Sequence, residues 1–348
     1  MFSNIHLLNI FLTNKNKKLS VIIKISDMKA KLIATIFVLF IVQVSFSQVR
    51  DTHKTPQKEG TTSTVINTQK PQINSNRRIN TQELINVSKP VIENKENGKI
   101  NWTEQYVEAT GTSYMDFEKF KIEGQAADMA KRGAIVIAQR NLLEIINGVR
   151  VTSQTVVKDL VTESDLIMTR IDGVIKGAQT VGEPVVTKTS VQVTMRIPIY
   201  DQQKGLAPIV QKAMADKDPE LGKRISQNNQ AASKSETAEE LPAVAFDFKG
   251  NTYNPSIFPK FVDKDGKVLL DLSEYYNPQT GEFPKYLQLT KDIFKDTKFK
   301  EGISVVDALI DKNGNIKVDI TKNAQVKKWF NTITNVVSKV APLLISLI

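Results

Sequence analysis

Histidine and cysteine most often supply a general base, a nucleophile or a soft metal ligand near neutral pH. This chain of 348 residues has two histidines and no cysteine. His6 and His53 fall in N-terminal segments that read as an upstream extension and a polar tether, with no packed scaffold to hold them. Ser-His-Asp catalysis, histidine-ligated zinc, thiol catalysis and thiolate metal sites are therefore not expected. Carboxylates remain. Glu282 and Asp263 can be considered for two-carboxylate glycoside cleavage, but no spacing singles out a pair, and both read as solvated acids at hairpin ends. The stretches DKDG (263–266) and DKNG (311–314) superficially resemble calcium loops. Neither has alternating oxygen ligands before its glycine and a glutamate six residues after it, so both read as turns. No P-loop or dinucleotide fingerprint occurs. No metal, cofactor or small-molecule substrate is expected, and the chain reads as a binder or scaffold, not an enzyme.

The elements that would position such residues begin with an export signal. From Met28, Lys29 and Lys31 form a positive n-region and 32–44 an apolar run, and Ser45 and Ser47 supply the small residues of a cleavage site before Gln48. The run is shorter than the roughly 20 apolar residues that span a bilayer. Residues 1–27 fit none of the regions of a signal peptide and read as an upstream extension, with Met28 as the expected start. The segment before Gln48 holds six lysines, one aspartate and no arginine, which is half of the net charge of +10. Losing it removes the main support for nucleic-acid binding, which depends on dense Lys and Arg. An exported chain without cysteine must be stable on its hydrophobic cores alone, and it has no residue for a lipoprotein anchor. The expected location is periplasmic or extracellular, at most peripheral on the outer membrane and not lipid-anchored.

Two polar stretches, 48–100 and 216–241, are poor in aromatic residues and read as a disordered tether and a disordered linker. They bound two modules, 101–215 and 242–348. In the first, EQYVEATG alternates as a strand ending at Gly111. Ala127, Ala130, Ala134, Ala138, Leu142 and Ile145 recur at three- and four-residue steps, which predicts an amphipathic helix over 125–146, with Gly148 as a left-handed cap. Residues 149–157 alternate as a second strand. Thr162 and Asp165 suggest a capping box before a short helix carrying Ile167, Ile171 and Val174. Residues 178–188 and 190–200 read as a hairpin whose second strand puts Val191, Val193, Met195, Ile197 and Ile199 on one face and Gln192, Thr194 and Arg196 on the other, and Pro198 suggests a strand end or edge. The fold class is α+β: an antiparallel sheet with one long and one short helix on one face. The second module reads as small and β-rich, ending in a C-terminal helix. Asp265-Gly266 and Asn313-Gly314 are its hairpin turns.

In the first module YVEATGT, then AADMAKRGAIVIAQRNLLEIINGVRV, then VIKGAQ, then VQVTMRIPIY form an ordered series of blocks over 106–200. This series resembles the LPP-twenty-type lipoprotein domain, a family related to the N-terminal domain of flagellar assembly protein T. The motif positions are Gly111, Arg132, Gln139, Arg140, Leu142, Gly148, Gly177 and Tyr200. The resemblance implies an α/β envelope domain of outer-membrane lipoproteins and periplasmic assembly parts, with no catalytic residues to carry over. The chain departs from the family in having no lipobox cysteine, and nothing downstream resembles the rest of the flagellar protein.

The tail carries an apolar stripe of Val326, Trp329, Ile333, Val336, Val340, Leu343 and Leu347, widened by Phe330 and Leu344 among others. As a helix, this face needs a cover. One cover is the module's own sheet. The other is an envelope protein or a membrane surface, with Lys327, Lys328 and Lys339 assisting. Pro342 removes a helix hydrogen bond and should kink or end the helix near Ala341. The function expected from the sequence is that of a non-catalytic exported interaction or assembly module. The alternatives are a membrane-surface protein acting through its tail and a carboxylate-based envelope glycan hydrolase.

Overall fold

Alternation between apolar and polar residues builds the first sheet, and a stripe of alanines decides how closely a helix can lie on it. A computed structural model describes residues 81–232, 243–321, 324–333 and 343–347, all within the compact unit Pro71–Ile348. The leader, with Ser47 and Gln48, lies outside the described residues, as do residues 233–242 of the linker. In chain order, α1 (Thr81–Val87), β1 (Lys89–Pro90), β2 (Ile92–Lys95) and β3 (Gly98–Asn101) lead into β4 (Tyr106–Tyr114). Next come α2 (Glu123–Asn147), α3 (Val157–Glu163), α4 (Asp165–Lys176), β5 (Gln179–Thr180), β6 (Val185–Val186), β7 (Ser190–Pro198), α5 (Leu206–Lys217) and α6 (Pro219–Ala232). The second half holds β8 (Ala243–Asp247), β9 (Lys260–Val262), β10 (Val268–Asp271), β11 (Tyr286–Leu289), α7 (Thr297–Gly302), β12 (Ile303–Ile310), β13 (Ile316–Val318), α8 (Ala324–Ile333) and β14 (Leu343–Leu347).

The fold is α+β. Six strands form an antiparallel sheet in the order β2-β3-β4-β7-β5, with β6 also paired to β7. Val107, Ala109 and Gly111 of β4 and the alternate apolar residues of β7 face α2, whose Ala126, Ala130, Ala134, Ala138 and Leu142 are buried. Ala126 takes the buried place expected for Ala127, which is only partly buried. A Cβ at Gly111 would run into the Ala134 carbonyl oxygen and the Ala138 nitrogen, so this glycine lets helix and strand touch backbone to backbone. Burial of a large apolar side chain such as Leu142 stabilises by about 1.5–3 kcal/mol, and β7 supplies four more on the same face.

Eight strands form a mixed sheet in the order β1-β11-β14-β8-β12-β13-β9-β10. Both predicted hairpins are present, β9–β10 and β12–β13 being antiparallel, and Gly266 and Gly314 take φ +86 and +78.

Several sequence expectations are corrected. Residues 81–100, read as tether, form α1, β1, β2 and most of β3 because Leu84 and Ile100 are core residues. Most of the linker up to Ala232 is helical. Asp218 accepts hydrogen bonds from the Glu220 and Leu221 amides at the start of α6, and Leu221 and Ile225, four residues apart, are buried. Residues 149–157 make no strand of the first sheet. Only Arg150 and Val156 bridge, and the Arg150 and Val151 carbonyls accept from the Ile257 and Phe258 amides of the second half at 2.8 Å. The alternation there reflects burial of Val149 and Val151 across that seam. Ser164, not Thr162, sits at the N-cap of α4, and the Thr162 hydroxyl donates back to the Asp159 carbonyl. Gly148 does cap α2, but at φ −89, which is not left-handed. The first arm of the predicted hairpin is split into β5 and β6 around Gly182 at φ +68.

The tail differs most. The helix is described only to Ile333, and Leu343, Leu344 and Leu347 lie in β14, a strand between β11 and β8 and parallel to both. Val336 and Val340 lie outside the described residues. Val326, Trp329 and Phe330 are buried, and the two rings pack with Phe246 and Phe261 at centroid distances of 4.9–6.4 Å among the four aromatics. These three side chains are therefore core groups and cannot serve as a partner or membrane contact. No helix among the described residues is long and apolar enough to cross a membrane.

Candidate functional site

The family-motif residues are distributed among different environments. Gly111 and Leu142 belong to the β4–α2 contact; Gly148 and Gly177 follow the ends of α2 and α4. Gln139 is half-buried on α2, while Arg132 and Arg140 are exposed on its outer side. Gly177 and Tyr200 both line a basin of about 600 Å³ where the two halves of the unit meet. Its floor is Tyr200 with Ile197. Its walls are the Glu104–Gln105 corner before β4, the 201–204 loop and the turn at Thr280–Gly281.

Local sequence explains each wall. Asp201 Oδ1 accepts the Gln203 and Lys204 amides at 3.0 and 2.7 Å, closing the loop that leads into α5. Gly281 takes φ +68 and packs against the Asp201 backbone. Gln105 is held at φ 61, an uncommon conformation for a side chain other than glycine. Its carbonyl accepts from the Ile199 amide at 2.7 Å, and its Nε2 donates to the carbonyls of Phe283 and Pro284 at 3.0 and 3.3 Å. This corner ties the end of β7 to the second half.

Tyr200 does the same from below. It stacks on Phe283 at 4.2 Å between ring centroids, and its hydroxyl donates to the Ile257 carbonyl at 2.6 Å. Burial, then the neighbouring Tyr276 and Tyr253, raise its pKa well above the ordinary phenol value. The hydroxyl is a structural donor. On the polar face of the sheet, Arg196 lies opposite Glu108 in register, bonds to it at 2.5 Å and stacks 3.6 Å from the Tyr106 ring centroid. The basin rim retains Glu104 and Lys204, charged side chains with no ion-pair partner among the described residues.

The acids considered for hydrolysis lie apart from any such pair. Asp263 Oδ1 accepts the Asp265 and Lys267 amides at 2.9 and 2.8 Å as a turn residue. Glu282 is exposed beside Gly281. Among the described residues no group of three or more His, Cys, Asp or Glu side chains is placed to hold a metal ion.

Gln105 and the Tyr106–Arg196–Glu108 stack were not anticipated from sequence. The polar alternation of β7 marked Arg196, but only the β4–β7 register sets it against Glu108. No local signal marked the left-handed Gln105. A scan against protein-family models returned no match for this chain, and a search of curated proteins returned none either.

Proposed function

We propose that this protein is an exported envelope module that works by binding or scaffolding and not by covalent chemistry, with the seam basin as one contact surface. The observation that carries this reading is that the basin's central polar groups are already engaged in the fold. Arg196 is held by Glu108, Asp201 by two amides, Gln105 by two carbonyls and Tyr200 by one. What a partner reaches is the rim of charged and amide side chains, including Glu104, Gln203 and Lys204. Such groups recognise a surface by charge and hydrogen bonding.

Two sequence features support export and envelope assembly: the signal-type segment ending before Gln48, and the resemblance of 106–200 to the LPP-twenty-type domain. Two measurements on cells producing the full chain test the reading. N-terminal sequencing of the fractionated protein is expected to give an envelope form beginning at Gln48. A photo-crosslinking residue at Gln203 is expected to trap a discrete adduct that the same group at Glu301 does not. A cytoplasmic, unprocessed chain, or one that remains monomeric and uncrosslinked in the envelope, overturns the proposal. Turnover of an envelope glycan by the purified protein would replace it with the hydrolase reading.

A further inference from the structure

Among the described residues, the outer face of the eight-stranded sheet is covered at one end only. Leu84, Ala245, Leu287, Leu289, Phe299 and Ile303 make a closed apolar cluster there, including residues of α1 and α7. Further along β12 the same face continues through Val305, Asp307 and Leu309, all exposed. The strand registers put Leu309, Lys317, Val262 and Val268 in one cross-strand row on this face. The neighbouring row, Ile310, Ile316, Phe261 and Leu270, faces the opposite way, and its last three members are core residues. In the outer row Val262 is 3% exposed, whereas Leu309 and Val268 on either side are 57% and 49% exposed. The row is a trough with apolar shoulders.

A basin of about 640 Å³ lies over this trough, within the size range of sites that take a ligand or a short peptide segment. Its walls are the 152–154 loop and the tips of the two hairpins. Lysines dominate the charge. Lys264, Lys312 and Lys317 line the basin with no ion-pair partner among the described residues, while Lys260 is paired with Asp271 at 2.8 Å. Of the two lining acids, Asp311 is occupied by its own turn: Oδ1 accepts the Asn313 and Asn315 amides and Oδ2 the Asn315 side chain. Asp311 keeps its charge, so Asp265 and Asp311 together oppose three unpaired lysines and the lining retains an excess of one positive charge. The Gln154 Nε2 to Asn313 Oδ1 bond, at 3.3 Å, leaves one carbonyl oxygen and one NH₂ group on these amides to meet a peptide unit.

We propose that this basin binds a short acidic peptide segment of a partner protein, with carboxylates facing Lys264, Lys312 and Lys317 and separate aliphatic side chains seated against Leu309 and Val268. Charge complementarity selects the acidic partner. The lining selects peptide over sugar or base, because it has no aromatic ring for stacking and does offer amide groups and apolar shoulders. A recessed trough also suits an inserted side chain better than a flat lipid surface. The assignment rests on the reading of the chain as an interaction module and names a second site on it, separate from the seam basin.

Fluorescence polarisation of the full chain with a labelled hexapeptide alternating glutamate and leucine tests it. Binding is expected to weaken at least tenfold in the Lys264→Gln/Lys317→Gln double variant and severalfold in Leu309→Ser, and to fall with added salt. These side chains lie at the surface, and unchanged thermal melting will establish that the variants fold. A peptide alternating lysine and leucine is expected not to bind. The proposal is overturned if the double variant binds as well as the parent, or if polyglutamate binds equally and ignores Leu309→Ser. It also fails if phosphatidylglycerol vesicles bind in place of the peptide and lose binding with the same substitutions. Crosslinking at Gln203 that persists while the hexapeptide fails would remove this basin alone and leave the wider reading intact.

Discussion

The two sheets are closed by opposite means. Where α2 meets β4, the contact is made by residues with almost no side chain: Gly111 lies under Ala134 and Ala138, and Gly133 sits close to Ser113. Where the tail meets the eight-stranded sheet, the contact is made by four large rings, Phe246, Phe261, Trp329 and Phe330. The first joint depends on missing volume and the second on filled volume. Each should therefore fail under the substitution that the other tolerates better.

The largest effect is expected at the aromatic joint. Trp329→Ala should cost about 3–5 kcal/mol, because it removes the ring and leaves a cavity that a sheet on one side and a helix on the other cannot fill. Urea unfolding followed by circular dichroism measures this, and a loss below about 1 kcal/mol would mean that the tail is not seated in the core. At the small-residue joint the sign reverses with volume. Adding one methyl in Gly111→Ala should cost about 1–3 kcal/mol, since neither backbone it meets can turn aside. Gly173→Ala sharpens the contrast. This glycine lies within α4, its added Cβ would meet nothing within 4 Å, and the substitution should stabilise by about 0.5–1 kcal/mol in the same assay. Equal responses at the two glycines would remove close approach as the explanation of Gly111.

The same contrast governs what could be read from sequence. The small-residue joint is local: β4, α2 and β7 show their periods openly, and the alanine steps mark the helix face almost to the residue. The eight-stranded sheet gathers β1 from near residue 89 and β14 from near 343 around one centre, and no period connects such segments. Leu343, Leu344 and Leu347 fit a helical stripe as well as a strand, and Pro342 was the one sign that a new element begins. Residues 81–100 read as tether because Leu84 and Ile100 are sparse among polar residues, although Leu84 joins a cluster with the distant Leu287 and Leu289, and Ile100 is buried where the β2–β3 hairpin joins β4. The seam basin was legible only in part. Tyr200 and Gly177 were picked out by the family resemblance, whereas the role of Tyr200 depends on Ile257 and Phe283, which lie beyond the linker.

The joint between the halves offers the smallest effect and the most specific one. Glu93 of β2 bonds to Arg150 at 2.7 Å, and Arg150 Nε also donates to the Pro255 carbonyl at 2.9 Å, so one guanidinium links the first sheet to the second half. Burial pushes the Glu93 carboxyl up, but the Lys95 hydrogen bond and the charges of Arg150 and Lys95 outweigh it and hold the group below its ordinary value of 4.5. A folded-state pKa below the unfolded one means that the charged form favours the fold. The contribution is complete above about pH 4.5 and is lost as pH falls through the lowered value. Arg150→Gln should therefore lower stability at neutral pH and flatten its dependence on pH below 4.5, whereas Lys212→Gln, which breaks an exposed pair with Asp216 on α5, should change neither. Melting temperatures measured across the acid range distinguish the two. Part of the acid slope remains in Arg150→Gln because Lys95 still holds Glu93 down; if neither the slope nor the stability at neutral pH changes, the guanidinium does not couple the halves, and the seam rests on its other bonds, such as those from Thr103, Gln105 and Tyr200.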